Sequence, residues 1–313
     1  MTLAGGPLDR PSSTDGATAA ARFNIQGIEL IVRSNDRPTL GHVRDTYGWF
    51  AVGGRTVTGH GPLATVEVAS LVAADGSATI VDAEGRATLW EARDQPLVAL
   101  FDAIVAGIIA ALSRTGIMAI HAGVVGLDGR AVLIAGRSGR GKTTLILGLL
   151  RRGLDLMSDE LALVAGDDRT ILAYPRGLHI RPAALGLFPE LGFLAGVEPH
   201  DLGGGSEWSV GPDALRRAFG TRVTDSIPIG AVVLLDGDPI GDAEPDLSPV
   251  VPAIATMELA RGTPEAAWAF DGVLARLPRV VSDIPCARIR SGQLEDTVDA
   301  VLGFAASTAR VAR

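Results

Sequence analysis

One run of residues has the composition and spacing of a phosphate-binding loop, or P-loop. It consists of Gly136, Arg137, Ser138, Gly139, Arg140, Gly141, Lys142 and Thr143, and Thr144 follows. At this spacing, glycines let backbone N–H groups close around phosphate oxygens where a helix begins. We expect the Lys142 ammonium to reach the β- and γ-phosphates and the Thr143 hydroxyl to bind Mg²⁺. The run therefore predicts a nucleoside triphosphate site with Mg²⁺, in which Arg137 and Arg140 face either phosphate or solvent.

Lys142 is the single lysine among 28 lysine and arginine residues. A compact ammonium fits among phosphate oxygens, whereas the planar guanidinium of arginine is larger and suited to a bidentate fork. We therefore expect that arginine cannot replace lysine at this position.

Acidic residues follow the P-loop at the end of the next apolar segment. Asp159 lies 17 residues after Lys142, which should bring its carboxylate to the mouth of the loop. There it would hold Mg²⁺ through water or accept a proton from an attacking hydroxyl. The alternative is a turn cap. Glu160 either shares this site or points elsewhere.

Three further residues are candidates on weaker grounds. His121 ends the strand before the P-loop strand, and residue type alone favours a partly buried histidine with an ordinary structural partner. Arg176 and Arg181 follow the acidic pair, and an arginine near a phosphoryl group can stabilise transition-state charge. The alternative for both arginines is surface solvation.

The pattern of the first third of the chain differs from the rest. Residues 1–21 are rich in Gly, Pro, Ser, Thr and Ala and predict a disordered tail. Residues 22–114 predict a small antiparallel β-rich domain, because short strands alternate with Asp-Gly and Glu-Gly turns, followed by a connecting helix over residues 96–114.

Residues 115–313 predict an α/β domain. Apolar segments at 131–135 and 231–235 are typical of strands covered on both faces of a sheet. The P-loop follows the first of these and opens a helix at Lys142. Residues 287–289 predict an edge or closing strand, and residues 293–304 a final helix.

Composition excludes several classes of partner. The net charge of −8 and the absence of a basic stripe argue against nucleic acid. The one cysteine, Cys286, cannot form an internal disulfide, which fits a cytoplasmic compartment. The most apolar stretch, residues 97–112, contains Asp102 and is short for a bilayer span, so we expect no membrane partner.

Three blocks of the sequence together resemble the HPr kinase/phosphorylase family. They are residues 121–125, 136–143 and 153–160, and the resemblance extends over roughly residues 115–305. It is closer to the HPr kinase-related proteins, which include kinases of lasso-peptide precursors. It implies a kinase fold akin to phosphoenolpyruvate carboxykinase, with Asp159 as the base for a serine hydroxyl and His121 beside the acidic pair. At Thr143, Thr144 and Glu160 the chain departs from the bifunctional members.

Residues and resemblance together predict an ATP-dependent phosphotransferase that uses Mg²⁺. Its acceptor would be a hydroxyl of a peptide, protein or small molecule, and the resemblance implies serine. Two alternatives stay open. One is a nucleotide hydrolase or switch, and the other is a nucleotide-binding module that recognises a peptide without catalysis. A homo-oligomer is compatible with the sequence.

Overall fold

A computed structural model places three β-sheets among the residues it describes, which are 18–52, 62–137, 139–201, 205–236, 241, 243–263 and 272–311. Helices pack against these sheets, so the architecture is mixed α/β, as the sequence predicted. Ser138 of the P-loop and residues 1–17 of the predicted tail lie outside the described residues.

The first sheet has five strands in the order β1-β2-β3-β4-β5. The strands are β1 (Ala19–Ile25), β2 (Ile28–Ser34), β3 (Ala64–Val72), β4 (Ala78–Val81) and β5 (Ala87–Trp90). Two corrections follow. Strand β1 begins inside the predicted tail, because its apolar residues pair with β2. Strands β2 and β3 are parallel, so the sheet is not purely antiparallel as predicted.

The parallel pairing requires a crossover, and the sequence interpretation missed the helix within it. Helix α1 (Arg37–Tyr47) begins after Asp36, whose side chain accepts a hydrogen bond from the Thr39 N–H at 2.8 Å. Its buried residues Leu40, Val43 and Tyr47 recur at helical spacing and face the sheet. Both the cap and the spacing were readable in the sequence.

Helix α2 (Pro96–Arg114) covers the same sheet, at the bounds that the sequence predicted. Among the described residues it is the one helix long and apolar enough to cross a membrane, by length and composition alone. It is longer than the apolar stretch at residues 97–112 that the sequence interpretation judged short for a span. Its residues Leu100, Ile104 and Ile108 are buried in the core formed with the first sheet.

The second sheet has eight strands and carries the P-loop near its centre. Its strands are β6 (Met118–Leu127), β7 (Arg130–Gly136), β8 (Asp155–Ser158), β9 (Leu161–Val164), β10 (Thr170–Leu172), β14 (Ser226–Leu235), β15 (Asp246–Pro249) and β16 (Cys286–Arg290). The order is β10-β9-β6-β7-β14-β16-β15, and β8 pairs with β6. Strands β7, β14 and β16 are parallel. Residues 287–289 were predicted as an edge or closing strand. They lie in β16, which is not an edge strand, because β15 pairs with it on the outer side.

Helices cover both faces of this sheet, which confirms the interpretation of its apolar strands. They are α3 (Lys142–Arg151), α4 (Pro212–Phe219), α5 (Pro252–Arg261), α6 (Val273–Val281) and α7 (Leu294–Val311). Along β7, Val132 and Ile134 join the core that contains residues of α3 and α7. Leu133, between them in the strand, joins the core that contains residues of α5 and α6. The alternation follows from the period of two in a strand.

A small third sheet, in the order β11-β13-β12, lies beside α1. Its strands are β11 (Leu178–Ile180), β12 (His200–Asp201) and β13 (Ser206–Val210). The core of the first sheet also includes Leu161, Leu163 and Tyr174. The boundary predicted near residue 114 therefore crosses a continuous hydrophobic core.

Candidate functional site

The P-loop connects the end of β7 to the start of α3. Gly139 and Gly141 have φ values of +79° and +86°, a region that favours glycine. Gly136 is required for a different reason: a Cβ there would lie 2.8 Å from the Leu235 Cβ of the neighbouring strand. Helix α3 has no side-chain cap at Gly141. The N–H groups of its first turn are thus suited to bind an anion, as the predicted phosphate site needs.

Lys142 lies against His121, with 2.7 Å between Lys142 Nζ and His121 Nε2. An ammonium can only donate, so Nε2 accepts and the ring proton is on Nδ1. Burial, with the Lys142 charge, lowers the pKa of His121 to about 4. Burial also lowers the pKa of Lys142, against the opposing effect of Asp159 and Glu160. The structure brings His121 and Lys142 together, and the neutral imidazole accepts a hydrogen bond from the lysine at the loop.

The backbone of the His121 strand determines how closely α3 can approach. At Gly123, a Cβ would lie 2.2 Å from Ile146 Cδ1 of α3, so glycine lets the helix pack directly on the strand. The His121 N–H donates to the Gly262 carbonyl, just beyond α5, at 2.9 Å. These contacts fix His121 between the P-loop helix and the end of α5.

Thr143 and Asp159 meet as the sequence predicted. The Thr143 hydroxyl lies 3.0 and 3.2 Å from the two carboxylate oxygens of Asp159, which is 9% exposed. Burial raises the pKa of Asp159, opposed by Lys142 and by the Thr143 hydroxyl. The capping role belongs instead to Ser158, whose hydroxyl accepts from the N–H groups of Glu160 and Leu161 at 3.3 and 3.1 Å.

The hydroxyl of Thr143 and the carboxylate of Asp159 fit a Mg²⁺ ion that is shared with phosphate. Mg²⁺ commonly takes one or two protein oxygens and completes its shell with water and substrate phosphates. The described residues contain no group of three or more His, Cys, Asp or Glu side chains that could hold a metal alone. The pair therefore suits a cation that arrives with a nucleotide.

Glu160 forms an ion pair with Arg176, whose guanidinium is buried. Burial opposes the charge of Arg176, but Glu160 and two buried tyrosines outweigh it and raise the pKa of the arginine. Glu160 also acts on Asp102 of α2, whose pKa is raised by burial and by this nearby carboxylate.

A cavity of about 1130 Å³ opens beside the P-loop. Among the residues that line it are His121, Arg137, Arg140, Glu160, Arg261 and Arg288. The full lining carries four guanidinium groups and three carboxylates, those of Glu160, Asp236 and Glu258, so charges of both signs face the cavity. Its volume exceeds the roughly 300–1,000 Å³ of pockets that hold one small molecule, which leaves room for a donor and part of an acceptor.

Arg181 is not brought to this cavity. Its Nε donates to the Glu207 carboxylate at 3.0 Å on the small third sheet, and its side chain is 56% exposed. Arg176 is buried behind Glu160 and does not line the cavity either. The two arginines, which are close in sequence and were predicted to have the same role, thus lie at different places in the structure.

The sequence interpretation missed several residues that line the cavity. Asp236 follows β14, whose Leu235 pairs with Gly136 of the P-loop strand, and it forms an ion pair with Arg288 at 3.2 Å. An apolar strand ending in aspartate was a readable signal. Arg261 and its partner Glu258, 2.7 Å apart at the end of α5, gave no local signal because only the fold brings them to the P-loop.

Comparison with known proteins gives structural similarity at low sequence identity. No family model matches the chain, and no curated protein matches it significantly. Among solved structures, the Hpr(Ser) kinase/phosphatase from Coxiella burnetii is similar to 62% of this chain and 96% of its own, with 13% sequence identity and a TM-score of 0.31.

Proposed function

We propose that this chain transfers the γ-phosphate of ATP to a hydroxyl group of an acceptor. One observation carries the proposal: the P-loop Thr143 hydroxyl lies on the buried carboxylate of Asp159, while Lys142 stands beside them. The P-loop therefore brings together three groups: a hydroxyl that could bind Mg²⁺, an ammonium that could bind phosphate, and a candidate base. Phosphoryl transfer needs these three functions.

Each residue would have a distinct task. Lys142 and the first turn of α3 would bind the phosphates, and Thr143 with Asp159 would hold Mg²⁺. Bound Mg²⁺-ATP supplies the phosphoryl group and neutralises part of its charge. Asp159 would accept the acceptor's proton as the hydroxyl attacks the γ-phosphorus. His121 would hold Lys142 in place through its unprotonated Nε2.

We infer a serine of a peptide or protein as the acceptor. The inference rests on the resemblance of the three sequence blocks to HPr kinase-related proteins. The arginine-lined cavity supports it, because its volume leaves room beside a nucleotide for a second group. An acceptor with an acidic residue near the serine would complement the guanidinium of Arg137, since Arg261 and Arg288 already pair with Glu258 and Asp236.

The test compares ATP turnover by the wild type and Asp159→Asn, with and without a serine-containing peptide library. We expect turnover to depend on the library and to fall roughly 10²–10⁴-fold in the variant, the usual worth of a general base. Asp167→Asn is the matched control, since Asp167 caps an exposed turn at residues 169 and 170. ATP turnover that is the same with and without the peptide library would favour the hydrolase alternative. Equal turnover by Asp159→Asn and Asp167→Asn would contradict the role of Asp159.

A further inference from the structure

Four buried polar atoms meet behind the candidate site. They are the hydroxyl oxygens of Tyr47 and Tyr174, Arg176 Nε and Glu160 Oε2. Both tyrosines are fully buried. The Tyr47 hydroxyl lies beside the guanidinium and beside Tyr174, and the charge of Arg176 also acts on Tyr174. None of the four atoms has a well-aligned hydrogen bond, so the cluster depends on mutual electrostatic contact and on where its members are held.

The end of α1 determines where the segment with Arg176 lies. The Gly177 N–H donates to the Thr46 carbonyl at 2.7 Å. A Cβ on Gly177 would lie 2.6 Å from Ser209 Oγ and 3.2 Å from Thr46 Cα, so only glycine allows this approach. The rings of Phe50 and Tyr174 lie 5.6 Å apart, centroid to centroid. Thr46 and Phe50 of the N-terminal region therefore contact the chain on both sides of Arg176, at Gly177 and Tyr174.

Arg176 does not line the cavity, so its direct contact with the site is the ion pair with Glu160, which does. Its charge also acts on Lys142 and Asp159. A guanidinium has five N–H donors and cannot lose its charge. One carboxylate cannot serve them all, and a buried donor without a partner is strongly unfavourable. The Tyr47 hydroxyl oxygen lies beside the guanidinium and can accept from one of the remaining donors.

We propose that Tyr47 is a positioning residue, which holds Arg176 so that the ion pair places Glu160 at the phosphoryl-transfer site. This inference rests on the proposed function. It makes α1, which carries Tyr47, part of the apparatus that positions the site. Tyr47 does not line the cavity, so its loss should slow transfer without weakening nucleotide binding.

The test uses the full chain with Tyr47→Phe, which removes the hydroxyl and keeps the ring between Phe23 and Phe101. We expect kcat for Mg²⁺-ATP turnover to fall about tenfold, the effect of one lost bond to a charged group, while KM for ATP stays unchanged. Val43→Ala is the control. Val43 is equally buried in α1, one helical turn before Tyr47, and carries no polar group, so this variant should lower Tm and leave kcat unchanged.

A double-mutant cycle separates positioning from a general structural effect. If Tyr47 acts through the ion pair, Tyr47→Phe combined with Glu160→Gln should be no slower than Glu160→Gln alone. The proposal would be overturned if the kcat losses of Tyr47→Phe and Glu160→Gln multiply in the double variant. It would also be overturned if Val43→Ala lowers kcat as much as Tyr47→Phe does.

Amide hydrogen exchange over residues 174–180 provides a readout that does not depend on activity. We expect faster exchange in Tyr47→Phe than in the wild type and no such local change in Val43→Ala. If the wild type turns over no ATP, the proposed function fails, and this exchange alone decides whether Tyr47 holds the segment. Unchanged exchange in Tyr47→Phe would overturn the positioning role.

Discussion

The contact between Lys142 and His121 makes the stability of the fold depend on pH in a defined direction. In the folded state, burial and the Lys142 charge hold the pKa of His121 at about 4, against 6.5 when it is free. Between these values the unfolded chain binds a proton that the folded chain does not. Stability therefore falls as pH decreases below about 6.5 and levels off below about 4.

The magnitude follows from the two pKa values. At 1.36 kcal/mol per pKa unit, the full effect is about 3 kcal/mol, of which somewhat less than half is already lost at pH 5.5. His121→Gln removes the titration and keeps an oxygen that can accept from Lys142 Nζ. The other histidines, such as His42, titrate alike in both proteins and cancel in the comparison.

The assay is urea unfolding of the wild type and His121→Gln at several pH values from 7.5 to 4.5. We expect the wild type to lose more unfolding free energy than the variant as pH falls, by roughly 1 kcal/mol at pH 5.5. Parallel stability curves would refute the reasoning, because they would mean that His121 is not held unprotonated by its surroundings.

Three further outcomes are expected. Lys142→Ala should abolish ATP turnover and weaken ATP binding measured by calorimetry, and Lys142→Arg should also fail; an active arginine variant would contradict the argument from the lone lysine. Thr143→Val should move the Mg²⁺ dependence of ATP binding to higher concentration, and an unchanged Mg²⁺ titration would remove Thr143 as a ligand. Asp236→Asn should change ATP turnover whereas Arg181→Ala should not, since only Asp236 lines the cavity. A change in turnover with Arg181→Ala alone would contradict this assignment of the site.

Local signals in the sequence were enough for the centre of the site. The P-loop spacing predicted the turn from β7 into α3, because glycines with positive φ and a helix start are local requirements. An apolar strand followed by Asp159 predicted a carboxylate near the loop, and the structure brings it to Thr143. The helix over residues 96–114 was equally readable from its proline start and apolar composition.

The surroundings of the site depend on contacts between distant segments, and the sequence could not supply them. Tyr47 reaches Arg176 because α1 packs beside the small third sheet, a placement set by tertiary packing. Arg261 reaches the cavity because Gly262 meets His121. Arg181 was grouped with Arg176 by proximity in sequence, yet Glu207 on a neighbouring strand holds it elsewhere. Residues close in sequence can thus belong to different surfaces.

The most direct test follows the γ-phosphate itself. ATP labelled with ¹⁸O in its γ-phosphate is incubated with Mg²⁺, a serine-containing peptide library and either the wild type or Lys142→Ala, and the products are analysed by mass spectrometry. We predict labelled phosphoserine peptides with the wild type and none with Lys142→Ala. Label found only in inorganic phosphate, or ATP left unchanged by the wild type, would contradict transfer to a serine hydroxyl at this P-loop.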